Sequence, residues 1–156
     1  MARKKTWREK LADDKGLPRI KKTSESMARR TGAETMVVPA PKEVDRMMRR
    51  VRKGGVTTIA AIRAALAKKH EVDLCCPMTV GIFAWIAAHA AEEDAAEGRK
   101  RITPWWRTLK TGGFLNPKYP GGVDLQRKRL EAEGHTVVRK GDKHLVADYE
   151  SRLADL

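Results

Sequence analysis

From Pro41 onward, apolar residues recur at helical spacing. Val44, Met47, Met48 and Val51 follow the i, i+3, i+4, i+7 rule, predicting an amphipathic helix that Pro41 opens and "KGG" (53–55) closes. Lys42, Arg46, Arg49, Arg50 and Arg52 fall on its other face. "VTTIAAIRAALAKKH" (56–70) predicts a second helix, capped by Thr57 or Thr58, with Ile59, Ile62, Leu66 and several alanines inward. After "EVDLCC", Pro77 opens a third and longer one, with Ile82, Trp85, Ile86 and His89 on one stripe and Gly98 at its end. Two helices joined by a brief turn, the second rich in small residues, outline a helix-turn-helix. "GGVDLQRKRLEAEGH" (121–135) gives a fourth helix with Val123, Leu125 and Leu130 inward, closed by Gly134. "TVVRKGDKHLVA" (136–147) then alternates around Lys-Gly-Asp as a β-hairpin does, and "DYESRLADL" reads as a short last helix. The predicted fold is mainly α, a winged-helix-like domain with a small C-terminal hairpin.

Residues 1–35 differ in character. They are polar and basic, with one short helix at Thr6–Asp14, where Thr6 caps and Trp7 and Leu11 stand four apart. Gly16, Pro18 and Gly32 interrupt the remainder of the stretch. It predicts a basic arm, loosely packed or ordered only on nucleic acid, or else a passive solvated tail. The domain proper then spans 36–156.

Charge narrows the class of partner. Lys and Arg outnumber Asp and Glu by 33 to 20, a net charge of +13. Such an excess attracts polyanions, nucleic acid first. No apolar run approaches the roughly 20 residues of a membrane span, and no signal-peptide segment is present after the N-terminus. Cys75 and Cys76 are adjacent and make no disulfide framework, which points to a reducing, cytoplasmic setting. Beside the beginning of a helix their thiols are a candidate alkyl acceptor or redox switch, or simply small buried residues. Only His70 and Asp73 lie near them, too few for zinc, so neither metal nor cofactor is expected. His89 and Trp85 read as core, and "EED" (92–94) as a solvated helix end.

"ITPWWRTLKTGG" (102–113) sets two indoles beside an arginine in a chain otherwise poor in aromatics. Pro104 stops a helix before them and Lys110-Thr-Gly-Gly ends any strand after. With this turn in place, the stretch from about Pro41 to His135 resembles the DNA-binding domain of the O6-alkylguanine-DNA alkyltransferase family. Four segments carry the likeness: "GGVTTIAAIRAALA", "VGIFAWIAAHAA", "PWWR" and "KYPGGVDLQRKRLEAEGH". The family's larger N-terminal α/β domain has no counterpart in the first forty residues. In active members the motif is Pro-Cys-His-Arg and the cysteine thiolate takes the alkyl group, poised by histidine and glutamate. Trp105 stands in the cysteine position and Trp106 in the histidine position, while Glu133 matches the glutamate with no relay to support. That replacement is the mark of the alkyltransferase-like proteins, which bind alkylated DNA without reacting and mark it for repair.

The resemblance implies a base pocket formed by Trp105, Trp106, Arg107, Tyr119 and Gly121, with an indole cradling a flipped base. Arg107 would hold the turn, or meet a backbone carbonyl or a phosphate. It also implies duplex-DNA contacts from Thr58, Ile59, Pro77, Met78, Thr79, Gly81, Lys110 and Lys118, with the helix from Pro77 in the minor groove. Three positions depart from the family. Ile59 replaces the tyrosine that helps rotate the nucleotide, Met78 falls where an arginine enters the base stack, and Glu97-Gly98 occupies the hinge asparagine's region. The implied function is a monomeric, non-catalytic DNA-repair protein that recognises alkylated guanine or other damaged bases and signals to repair factors. The alternatives are an architectural or regulatory nucleic-acid binder, and an enzyme transferring alkyl groups to Cys75 or Cys76.

Overall fold

A computed structural model describes residues 3–156, which form six α-helices, seven short strands and two 3-10 turns. Helix α3 (Pro41–Arg49) begins where predicted and buries Val44, Met47 and Met48. It packs on the paired helices α4 (Ile59–Lys69) and α5 (Pro77–Ala96). Thr58 is the cap of α4, its hydroxyl accepting the Ala61 N–H at 3.1 Å. Helix α6 (Gly122–Ala132) and the hairpin β6 (Val137–Lys140) with β7 (Lys143–Val146) complete the C-terminal part, in register Val137 to Val146.

Two cores hold these elements. The larger joins Val37, Val44, Met48, Ile62, Leu66, Val80, Phe83, Ala84 and Trp105 between α3, α4 and α5. The smaller places Val56, Leu109, Leu115, Leu130 and Val146 beneath the hairpin. Strand β3 (Thr57–Thr58) pairs in parallel with β5 (Thr108–Leu109), which ties the turn at Trp105 to the beginning of α4.

α5 departs from the predicted stripe. Its deeply buried positions are Val80, Phe83, Ala84, Ala87, Ala88 and Ala91, whereas Ile82 is 46% exposed. Alanines let α5 approach its neighbours closely, and a helix apolar on nearly every side gives periodicity little to choose between.

The N-terminal residues also differ from the loosely packed arm predicted. Helix α1 (Trp7–Ala12) has Thr6 as its cap, as expected, but packs squarely on α5. The backbone N–H groups of Trp7 and Arg8 donate to the Glu93 carboxylate at 3.0 and 2.9 Å, and Trp7 stacks on His89 with ring centroids 4.4 Å apart. Strand β1 (Arg19–Lys22) runs antiparallel to β2 (Thr35–Val38), which pairs in parallel with β4 (Leu74–Cys75). Helix α2 (Glu25–Thr31) lies between β1 and β2 in sequence and buries no residue. Residues 3–35 are thus built onto the domain by a sheet and a helix contact.

Candidate nucleic-acid interface

The Pro-Trp-Trp-Arg turn is closed. Trp105 is 0% exposed, edge-on to Trp106 at 5.9 Å and to Tyr119 at 5.3 Å between ring centroids. Its indole N–H donates to Glu92 at 3.3 Å, and the Arg129 guanidinium stands 5.3 Å over its ring. Tyr119 is buried beneath it, and burial pushes its phenol well above the usual range.

Beside it, Glu133 accepts from the Trp106 indole at 3.1 Å and takes a two-pronged grip from Arg107, at 2.9 Å and 2.6 Å. The third arm of Arg107 donates to the Val51 carbonyl at 2.7 Å. Burial alone would raise the Glu133 carboxyl, but the bonds from Arg107 and Trp106 outweigh it and hold the group below its ordinary range. The arginine therefore locks the turn, one of the roles predicted, and the glutamate is spent on that lock.

An open cavity of about 440 Å³ lies elsewhere, between the first half of α5 and the segment before α6. Met78, Gly81, Ile82 and Trp85 line it from the helix, Lys110, Asn116, Pro117 and Lys118 from the other side. Met78 is 74% exposed at the first turn of α5. Trp85 donates its indole N–H to the Lys118 carbonyl at 3.1 Å, joining the two walls. Buried Gln126 fixes the second wall, accepting from the Asn116 N–H at 2.9 Å and donating to the Trp106 carbonyl at 3.1 Å.

Of the residues singled out in the sequence, the cavity gathers Met78, Gly81, Lys110 and Lys118. The five assigned to the base pocket, Trp105, Trp106, Arg107, Tyr119 and Gly121, are not among its walls. Trp105 and Tyr119 instead belong to the larger core, with half-buried Trp106 packed against both cores. Gly121 precedes α6 with φ +72°, and a Cβ there would meet Leu125 at 2.6 Å, which accounts for the glycine. Thr58 is buried as a cap, and Ile59 is half-buried against the core. Pro77 is the first residue of α5, and the Thr79 hydroxyl turns back to the Cys76 sulfur.

Trp85, Ile82, Asn116 and Pro117 were not anticipated as site residues. Their signal was present: Met78, Ile82 and Trp85 are spaced i, i+4, i+7, and Asn-Pro directly precedes "KYPGG". Cys75 lies away from this cavity and is 1% exposed, and burial pushes its thiol up to about 12. A thiol at that value is not ionised near neutral pH and is a poor nucleophile. No helix among the described residues is long and apolar enough to cross a membrane.

The helix-turn-helix core and its C-terminal hairpin have the fold of an alkyltransferase-like protein. The chain superposes on S. pombe Atl1 in a complex with damaged DNA containing O6-carboxymethylguanine, with a TM-score of 0.53 and 17% identity, over 74% of this chain and 94% of that one. It matches a second structure, S. pombe ATL in complex with DNA, with a TM-score of 0.54 and the same identity and coverage. No protein-family model matches this sequence, and no curated protein matches it.

Proposed function

We propose that this chain binds duplex DNA and holds an alkylated or otherwise damaged base against Met78 and Trp85 without taking the alkyl group, leaving repair to other factors. The observation that carries this reading is the open cavity of about 440 Å³ beside the exposed apolar end of α5. Its size suits a small planar ligand, and Lys110 and Lys118 supply charge for flanking phosphates from the wall opposite α5. Exposed Met78 can enter a base step as an apolar wedge. The indole of Trp85 offers a face for a displaced base. The likeness in fold to S. pombe Atl1, itself solved with damaged DNA, supports the same reading.

Non-catalytic action accords with the chemistry at hand. Trp105 cannot accept an alkyl group, Glu133 is held by Arg107, and the Cys75 thiol is buried and protonated. A second reading, an architectural DNA binder without lesion preference, draws on the sealing of Trp105 away from solvent. Affinities for plain duplexes and for duplexes carrying one O6-alkylguanine separate the two. Lesion recognition requires tighter binding to the modified duplex, and equal binding hands the case to the architectural reading. Intact-mass measurement after incubation with the alkylated duplex should show an unmodified chain.

A further inference from the structure

A second cleft, of about 520 Å³, adjoins the cavity and shares Trp85 with it. Its other walls come from the N-terminal residues Lys4, Lys5, Trp7 and Lys10, with Glu93 at the back. A surface therefore runs from the cavity across Trp85 onto the N-terminal helix.

Charge on α5 shows what seating α1 changes. The last turns of α5 and its cap carry Glu92, Glu93, Asp94 and Glu97, four carboxylates that would repel a polyanion crossing them. Each is occupied. Glu93 takes the backbone N–H groups of Trp7 and Arg8, and Arg8 pairs with Glu97 and stands 3.5 Å from Asp94. Glu92 meets Arg129 at 2.7 Å and the Trp105 indole. Meanwhile Lys4 and Lys10 have no carboxylate within 4 Å among the described residues, Lys10 standing 4.3 Å over the ring of Trp7. With Arg129 covering Glu92, the N-terminal residues cover the rest of this acidic helix end and set Lys4 and Lys10 on a basic surface beside the cavity.

We propose that α1 and the residues just before it are part of the nucleic-acid interface, the phosphate backbone flanking the inspected base running past Trp85 onto Lys4 and Lys10. This rests on reading the cavity as a base site on duplex DNA. The contact is made by lysine side chains, because the Glu93 carboxylate already fills the beginning of α1.

The test compares the whole chain with the variant Lys4→Gln/Lys10→Gln, which removes charge and keeps most of each side chain, by fluorescence anisotropy on plain and O6-alkylguanine duplexes over a range of salt. Each lost phosphate contact lowers the log–log salt slope by about 0.9, so the double variant should lose about 1.8 and weaken on both duplexes alike. Lys4→Arg/Lys10→Arg should keep the wild-type slope. So should Lys128→Gln/Lys140→Gln, which removes the same charge from residues lining neither cleft. If the Lys4/Lys10 variant keeps the wild-type slope while the wild type binds duplex, the inference fails and the base-site reading stands. An equal loss in the Lys128/Lys140 variant overturns it as well, since net charge alone would then explain the effect. If the wild type does not bind duplex at all, both readings fall.

Discussion

The two faces of α5 treat aromatic residues in opposite ways. On one side the Trp105 turn is sealed, with Arg107 and Glu133 bonded to each other, to an indole and to a backbone carbonyl. On the other, Met78, Ile82 and Trp85 stand in a cavity open to solvent on one side. The Trp105 turn is structural, and the surface open to a ligand lies along the first turns of α5. Matching a motif fixes where a residue sits in the chain and in the fold; what its side chain can reach depends on the bulk of its neighbours. Trp106, Tyr119 and Arg129 all pack on Trp105, which has no exposed surface.

Substitution on each face sharpens that contrast, and the closed face should give the largest effect. Trp105→Ala removes a fully buried indole and should lower stability by about 3–5 kcal/mol, read from urea or thermal unfolding. Met78→Ala, at an exposed site, should change stability by no more than about 0.5 kcal/mol yet weaken duplex binding several-fold. A stable Trp105→Ala protein that has lost only its preference for the modified base would reverse the assignment and make Trp105 the base reader.

Much of this was legible in the sequence. α3 was readable from its single apolar stripe, α4 and α6 from a few apolar residues at helical spacing, and Gly98 and Gly134 ended helices where glycine relieves the backbone. The hairpin was readable from its alternation. The burial face of α5 was not, because apolar residues surround nearly all of it. Nor was the sheet of β1, β2 and β4, since "RIKK" is exposed at every position and its partners are far away in sequence. The seating of α1 depends on Glu93, which the sequence offered only as a solvated helix end. The turn was located by its residues, but its closure needs Arg129 and Tyr119, brought to it by folding alone.

Acid should probe the closed face next. The Glu133 carboxyl sits below its ordinary value in the fold, so its ion pair contributes stability fully above that value and loses it as pH falls through the folded one. Glu43 behaves alike. Burial raises it, but bonds from Lys69, the Ala40 N–H and His70 prevail. Burial also holds the His89 imidazole low, so its contribution begins to fade just below the usual imidazole range. Stability of the wild type should therefore fall in two stages as pH drops. Glu133→Gln should be less stable at neutral pH and show a shallower second stage, while His89→Gln should weaken the first, which buried His135 shares. A variant Glu133→Gln with the full wild-type acid response would place the titrating group elsewhere.

The smallest effect should come from the cysteines, which belong to neither face. Cys75 is buried against the large core, and its thiol is raised by loss of water, with Arg63 too weak an influence to bring it back. Cys76 is half-buried, and its sulfur accepts from the Thr79 hydroxyl, so it helps settle the beginning of α5. Replacing both by serine should leave duplex affinity nearly unchanged, since neither side chain lines the cavity or its basic extension. Alkylation by iodoacetamide, followed by mass spectrometry, should label Cys76 before Cys75, because reaction needs an accessible thiolate. Incubation with O6-alkylguanine duplex should add no alkyl mass to either. One alkyl group found on Cys75 or Cys76 would make the chain an acceptor after all, with its chemistry at the N-terminus of α5 and neither face of the comparison holding the reactive group.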